Sequence, residues 1–369
     1  MKVALVHDWL TGMRGGERVL EVLCELYPDA QLFTLVHVPG SVSPAIERLH
    51  PRTSFVQQLP FASRWYRHYL PLFPLAVERF RLDSFDLVIS TSHCAVKSVR
   101  TSAPARHLCY CFTPMRYAWD QFDRYFGPER IGRVPSAAMG VIMRRIARWD
   151  AATAHRPSRY VAISRYVASR IRRYYNRGAD VVYPPVDTAF FHPDGRPPER
   201  HLLIVSALVP YKRIDVAIEA ARLSGTFLKI VGDGPERPRL QSMAGPTIEF
   251  LGRRSDEEIR ELYCSAAAVV LPGEEDFGIV PLEAQACGRP VLALARGGAL
   301  ETVIEGETGS LVHESSPDAL ADGMRSILAS RFDATTIRAH AERFGRERFV
   351  REMQTVIAQT LAGPGDAGW

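Results

Sequence analysis

AAVVLPGEEDFGIVPLEAQACGRPVLA, residues 267–293, is the stretch on which the reading of the fold turns. Ala267 to Leu271 is a short apolar run with adjacent valines, the pattern of a strand buried on both faces. Pro272 and Gly273 end it, and the acidic loop Glu274-Glu275-Asp276 follows. Val280 to Cys287 has the length and apolar spacing of a helix, and Pro290 to Ala293 reads as a second strand. Strand, loop, helix and strand at this spacing form a βαβ unit, which requires a parallel sheet. Glu275 falls on the loop, and Glu283 about one turn inside the helix.

The same alternation continues on both sides. Upstream come strands at Leu202–Val205, Phe227–Val231 and Ile248–Leu251, with helices at Ile214–Arg222 and Asp256–Cys264. Downstream, helical patterns cover 317–330 and 334–362, and Gly363, Pro364, Gly365 and Gly368 read as a frayed tail. The proline-rich stretch 184–200 reads as an interdomain connection. Before it, Val3–Val6 is a buried strand, followed by a loop with Gly12, Gly15 and Gly16 and a helix from about Glu17 to Leu26. Asp86–Ser90 is a further strand ending in the polar run Thr91-Ser92-His93, and Leu108–Cys111 runs into Thr113-Pro114. Two doubly wound α/β domains follow from this pattern. Open sheets of that kind place ligands at the carboxyl ends of their strands.

With 369 residues, 46% hydrophobic and 24% charged, the composition excludes disordered, collagen-like and disulfide-scaffold classes. No apolar run approaches a membrane span, and His7 and Asp8 interrupt the N-terminal apolar stretch too early for a signal peptide, so a cytoplasmic location is expected. The six scattered cysteines read as buried reduced thiols. Charge is unevenly divided: residues 1–180 hold 26 Lys and Arg against 14 Asp and Glu, while residues 181–369 hold 20 against 27. Aromatics lie among the N-terminal arginines in Arg64-Trp65-Tyr66-Arg67-His68-Tyr69 and in Arg172-Arg173-Tyr174-Tyr175. Such a face suits phosphate or anionic lipid headgroups, and a solvated basic surface without a partner explains it equally. The charge alone would also fit nucleic acid, but no recognition helix, zinc finger or RNP-type motif accompanies it, so no nucleic acid partner is expected.

The loop at 274–278 offers chemistry as well as a turn. Gly278 lets backbone approach a ligand, and the N–H groups opening the next helix favour phosphate. Acidic capping of that helix, with Glu283 solvated, accounts for the same carboxylates. The pattern Glu275-x7-Glu283 with internal Asp276-Phe277-Gly278 resembles the donor-site signature of retaining glycosyltransferases of family four, which have the GT-B fold. Ser206-Ala207-Leu208-Val209-Pro210-Tyr211-Lys212-Arg213, Gly232-Asp233-Gly234-Pro235, Phe250-Leu251-Gly252 and Gly297-Gly298-Ala299-Leu300-Glu301 fall where that family has its strand-end loops. The resemblance is close over about 200–312 and extends N-terminally through Gly15-Gly16-Glu17-Arg18-Val19. Thr113-Pro114-Met115-Arg116-Tyr117-Ala118-Trp119-Asp120 is similar to a mannosyltransferase-like branch that builds bacterial surface polysaccharides.

The resemblance implies two Rossmann-like domains facing a cleft: residues 1–185 for the acceptor, 186–343 for a nucleotide-sugar donor, and 344–369 as a helix returning to the first domain. It implies that Glu283 accepts from ribose hydroxyls, Glu275 holds a hydroxyl of the transferred sugar, and Lys212 with Arg213 neutralises the pyrophosphate. Asp276, Phe277, Gly278, Ile279 and Val280, with Gly232, Gly15 and Gly16, would line the donor, while Arg116, Tyr117 and Asp120 face the acceptor. Many relatives carry arginine where this chain has Ala207, and histidine where it has Phe112, so Arg213 and His93 become the replacement candidates. No D-x-D pair or His/Cys cluster is present to hold a metal, and none is expected. The function implied is transfer of a hexose, mannose from GDP-mannose, to a polyprenyl-diphosphate-linked glycan. It would occur on the cytoplasmic face of the inner membrane, with peripheral contact to anionic lipid. A UDP-sugar donor and a catalytically idle sugar-nucleotide-binding protein are the alternatives.

Overall fold

The computed structural model describes residues 1–363. Its contacts divide the chain into two units, Met1–Tyr183 together with the residues from Val350 onward, and Pro184–Phe349. The boundaries expected from sequence stood at 185/186 and 343/344.

The N-terminal unit is built on a parallel sheet of β1 (Val3–His7), β2 (Gln31–Thr34), β3 (Arg52–Thr53), β4 (Leu87–Ser92), β5 (Arg106–Cys111), β6 (Arg159–Ala162) and β7 (Asp180–Val181). The strand order is β3-β2-β1-β4-β5-β6-β7. Every residue of β1 and β4 is buried, so neither strand alternates between apolar and exposed polar positions, and β4 ends in the buried hydroxyl run Ser90-Thr91-Ser92. Chain order reverses between β1 and β4, and this switch point opens a crevice at the strand ends. The expected polar loop at 91–93 begins only at His93, because Thr91 and Ser92 remain paired with Tyr110 and Cys111 of β5. Gly15 and Gly16 also differ from expectation. They form the first turn of the helix Gly15–Leu26 rather than a loop, since the Arg18 amide already closes a helical bond onto the Arg14 carbonyl.

The C-terminal unit repeats the plan with β8 (His201–Val205), β9 (Phe227–Val231), β10 (Ile248–Gly252), β11 (Ala268–Leu271), β12 (Val291–Leu294) and β13 (Gly309–Val312). All its pairings are parallel, in the order β10-β9-β8-β11-β12-β13, with the switch point between β8 and β11. Successive residues of β8 feed opposite faces: Leu202 and Ile204 join one apolar cluster and Leu203 the other. Truncating any of them to alanine would cost about 2–5 kcal/mol.

The helix expected over 334–362 is two helices, Ala334–Glu342 and Arg346–Ala362. Between them the backbone turns to pair with Val186, whose amide donates to the Phe344 carbonyl at 3.0 Å, so the helical ladder is interrupted. Past Val350 the second helix belongs to the N-terminal unit, where Arg159 donates to Gln359 and Arg106 to the Gly363 carbonyl. Gly363 is therefore fastened, and the rest of the expected tail, Pro364, Gly365 and Gly368, lies outside the described residues. All six cysteines are buried and form no disulfide. No helix among the described residues is long and apolar enough to cross a membrane.

Candidate functional site

The β8–β11 switch point holds a pocket with a cavity volume of about 120 Å³, lined by Ser206, Lys212, Gly273, Glu275, Gly278 and Ile279 among others. Its floor is the ends of both strands, and its sides are the loops that follow them. Lys212 closes the turn Pro210–Lys212 after β8, and Glu275 lies in the loop after β11. The Lys212 Nζ donates to Glu275 Oε1, so a cation and a carboxylate meet directly inside the pocket. Gly273 permits this approach: a Cβ there would sit 2.7 Å from the Tyr211 carbonyl oxygen.

The acidic loop is held from behind. The Gly298 amide donates to the Glu275 carbonyl at 2.8 Å, and Gly298 packs so closely on Phe277 that a Cβ would meet its Cα at 2.3 Å. Gly278 has φ +86°, a left-handed conformation that starts the helix Ile279–Ala286. Ile279 and Val280 line the pocket, whereas Phe277 is buried against Phe344. Asp276 is also buried.

Glu283 is not the solvated side chain that simple capping would leave. It is 8% exposed, and its Oε2 accepts from the Tyr263 hydroxyl at 3.0 Å. Arg213 is turned elsewhere, with Nε 3.5 Å from Asp215 and its guanidinium donating to Ser315 Oγ. Gly232 is packed beneath the Ser206 carbonyl, where a Cβ would clash at 1.9 Å. It thus serves the packing of strand-end loops.

The N-terminal switch point gathers a second constellation. His93, just past β4, stands beside Asp8, which follows β1; its Nδ1 is 3.3 Å from Asp8 Oδ2. The Phe112 ring lies 6.2 Å from that of His93 and 6.3 Å from that of His7. A Cβ on Gly16 would touch Phe112 at 3.3 Å, so this glycine brings the first helical turn against the ring. His7 Nδ1 pairs with Thr91 Oγ1 at 2.7 Å, and its Nε2 is 3.9 Å from the buried Glu17. Burial raises the Glu17 pKa, but the nearby His7 ring and Arg14 bring it below the usual carboxylate value. Sequence reasoning missed His7, Asp8 and Glu17 as site residues. For His7 and Asp8 the signal was a polar pair closing an otherwise apolar strand, and Glu17 gave none.

Arg116 opens the short helix Arg116–Trp119. The Tyr117 hydroxyl donates to Cys94 Sγ at 2.8 Å, and burial, then the nearby thiol, push its pKa well up. Asp120 is ion-paired with Arg170, and Trp119 stacks on Tyr174 at 4.8 Å. Lys212, Glu275, Gly278, Ile279 and Val280 therefore converge on one pocket, while Tyr117 reaches the His93 turn. Among the described residues no group of three or more His, Cys, Asp or Glu side chains is placed to hold a metal ion.

Two parallel doubly wound units of this order constitute the GT-B fold. The chain is similar to the Anabaena protein HepE, solved in complex with UDP, with a TM-score of 0.69 and 19% identity over 97% of this chain and 100% of that one. Residues 187–348 match the family Glycosyl transferases group 1. An uncharacterized glycosyltransferase of Methanocaldococcus jannaschii is 27% identical over 192 residues, 51% of this chain and 54% of the relative. A GDP-mannose-dependent alpha-(1-6)-phosphatidylinositol monomannoside mannosyltransferase of Mycolicibacterium smegmatis is 34% identical over 198 residues, 45% of this chain and 52% of the relative. The chain spans about half the length of these curated relatives.

Proposed function

We propose that the chain is a retaining, metal-independent glycosyltransferase that transfers a hexose, mannose from GDP-mannose, to a polyprenyl-diphosphate-linked glycan in bacterial surface polysaccharide synthesis. The observation that carries this reading is the Lys212–Glu275 pair in the switch-point pocket, at the head of the helix Ile279–Ala286. A nucleoside diphosphate departs with negative charge growing on its outer phosphate. A fixed ammonium and helix N–H groups stabilise that charge more in the transition state than in the ground state. Glu275 would then hold a hydroxyl of the transferred sugar, and Glu283 would receive the ribose hydroxyls. The departing phosphate takes the acceptor proton on the same face, which retains configuration at the sugar.

The donor assignment is supported by the 34% identity to a relative whose name states GDP-mannose dependence. A UDP-sugar such as UDP-N-acetylglucosamine is the second reading, favoured by HepE having been solved with UDP. Peripheral attachment to the cytoplasmic face of the inner membrane is supported by the basic N-terminal half, where Phe61 and Trp65 are exposed beside Arg64 and Arg67.

A thermal-shift panel of GDP, UDP, TDP and ADP sugars tests the donor. Ligand at a hundred times Kd adds about 2.7 kcal/mol to stability. GDP-mannose is expected to give the largest rise, and a larger rise with UDP-N-acetylglucosamine moves the assignment to the second reading. Binding without transfer to any lipid-linked glycan makes the chain a sugar-nucleotide-binding protein. No rise with any of them overturns the proposal.

A further inference from the structure

At the N-terminal switch point a single buried carboxylate organises an entire turn. Asp8 is 0% exposed. Its Oδ2 accepts the backbone N–H groups of His93 at 2.7 Å and Cys94 at 2.8 Å, and its Oδ1 accepts those of Ala95 at 2.7 Å and Val96 at 3.1 Å. The same Oδ2 lies 3.3 Å from His93 Nδ1. Backbone and ring of His93 are thus referred to one group, just past the end of a neighbouring strand of the sheet.

The surroundings leave the imidazole little freedom. The Trp9 ring meets it edge-on with centroids 4.3 Å apart, and Phe112 stands at 6.2 Å on another side. The charged and titratable groups around it are Asp8 and His7 at the end of β1 and Arg14 and Glu17 at the start of the following helix. Burial pulls the His93 pKa below its ordinary value against the opposing charge of Asp8, which keeps the ring neutral at pH 7. At 3.3 Å a carboxylate repels a ring lone pair and attracts an N–H, so this charge contact favours the proton on Nδ1 and the lone pair on Nε2. With 28% of its side chain exposed, His93 remains reachable.

We infer that Asp8 is a positioning residue: it holds His93 in the Nδ1–H tautomer, so that Nε2 presents an acceptor lone pair to a substrate hydroxyl. That the hydroxyl belongs to a sugar or a glycan acceptor rests on the proposed transfer reaction. The tautomer itself does not.

The test begins with the wild-type protein carrying ¹⁵N-histidine, whose long-range ¹H–¹⁵N correlations at pH 7.5 report which ring nitrogen bears the proton. H93Q assigns the resonance. The expected spectrum is a neutral ring protonated at Nδ1; an Nε2 proton or an imidazolium overturns the inference. In D8N the His93 proton is expected to redistribute toward Nε2, and a folded D8N with His93 still protonated only at Nδ1 counts against it, because a purely structural Asp8 would leave the tautomer alone. D8N sets an amide NH₂ against backbone donors, so if it does not fold the wild-type spectrum decides. Where transfer is measurable, D8N is expected to lower kcat at least tenfold, and by less than twofold in an H93A background. Losses that simply multiply would overturn the inference. The spectra need no substrate, so a chain that transfers no sugar defeats the functional proposal while the tautomer is still read.

Discussion

Lys212 and Glu275, 63 positions apart in the chain, are joined by a direct hydrogen bond from ammonium to carboxylate. Both side chains are only partly exposed, at 18% and 17%, so neither is fully screened by water. On the proposed transfer reaction, an incoming diphosphate would compete with Glu275 for the lysine, and a sugar hydroxyl would replace the lysine on Glu275. Donor binding would then exchange one charge pair for two new contacts.

Lys212→Ala is expected to lower kcat by about 10²–10³-fold, the range for removing one donor to a developing anion. Glu275→Ala should likewise depress turnover more than donor affinity. Initial-rate kinetics over a donor titration separate the two parameters. Unaltered transfer in both variants would show that the pair has a structural role only.

Glu283 is tied to Tyr263, which permits a cleaner comparison. Glu283→Ala should raise the donor Kd about tenfold, equivalent to ~1.4 kcal/mol. Tyr263→Phe removes the 3.0 Å hydrogen bond but keeps the carboxylate, and should change Kd less than threefold. Calorimetric titration of both variants checks this, and equal losses would assign Glu283 to scaffolding.

Gly298 tests the strap behind the acidic loop. A methyl group there meets the Phe277 Cα at 2.3 Å, so Gly298→Ala is expected to cost about 2–4 kcal/mol through forced backbone movement. Gly306, at φ +76° with nothing near its Cβ position, is the control, and alanine there should cost about 1 kcal/mol through conformation alone. Urea unfolding of the two variants should differ in midpoint accordingly.

His107 predicts a pH dependence. It is fully buried, with Nε2 2.8 Å from Ser90 Oγ. Burial, then the charges of Lys97 and Arg156, push its pKa down to about 3. The unfolded chain takes up the proton near pH 6.5 and the folded one does not, so stability is lost as pH falls below about 6.5, by ~1.4 kcal/mol per unit, until the folded value is reached. Urea unfolding at pH 7 and pH 5 should reveal about 2 kcal/mol from this group. A His107→Gln variant should show a correspondingly shallower fall.

The exposed pair Phe61 and Trp65, rings 5.0 Å apart, sits in a stretch with no acidic residue between Glu47 and Glu78. Sedimentation with vesicles should show stronger binding to anionic than to neutral lipid, weakened by salt and by the double change Phe61→Ala, Trp65→Ala. Equal binding to both lipids would remove the basis for membrane attachment.

Much of this protein was decided locally. The buried strands at Val3, Leu87, Leu108, Leu203 and Val269 are apolar because both faces of a parallel sheet are covered, and that pattern is visible in any short window of the chain. The loop carrying Glu275 and Gly278 is equally local, since a strand must turn before its helix. What the tertiary structure decided is which distant groups meet. β3 and β7 are edge strands of two residues each, too short to leave a periodic signal. The break at Phe344 depends on a partner at Val186, and Arg213 faces Asp215 and Ser315 although its neighbour Lys212 faces the pocket. Asp8 gave no motif, because its role lies in hydrogen bonds to a turn more than 80 residues away. Apolar burial is written in composition and spacing along the chain, whereas directional bonds between polar groups exist only once the sheet has brought its strand ends together.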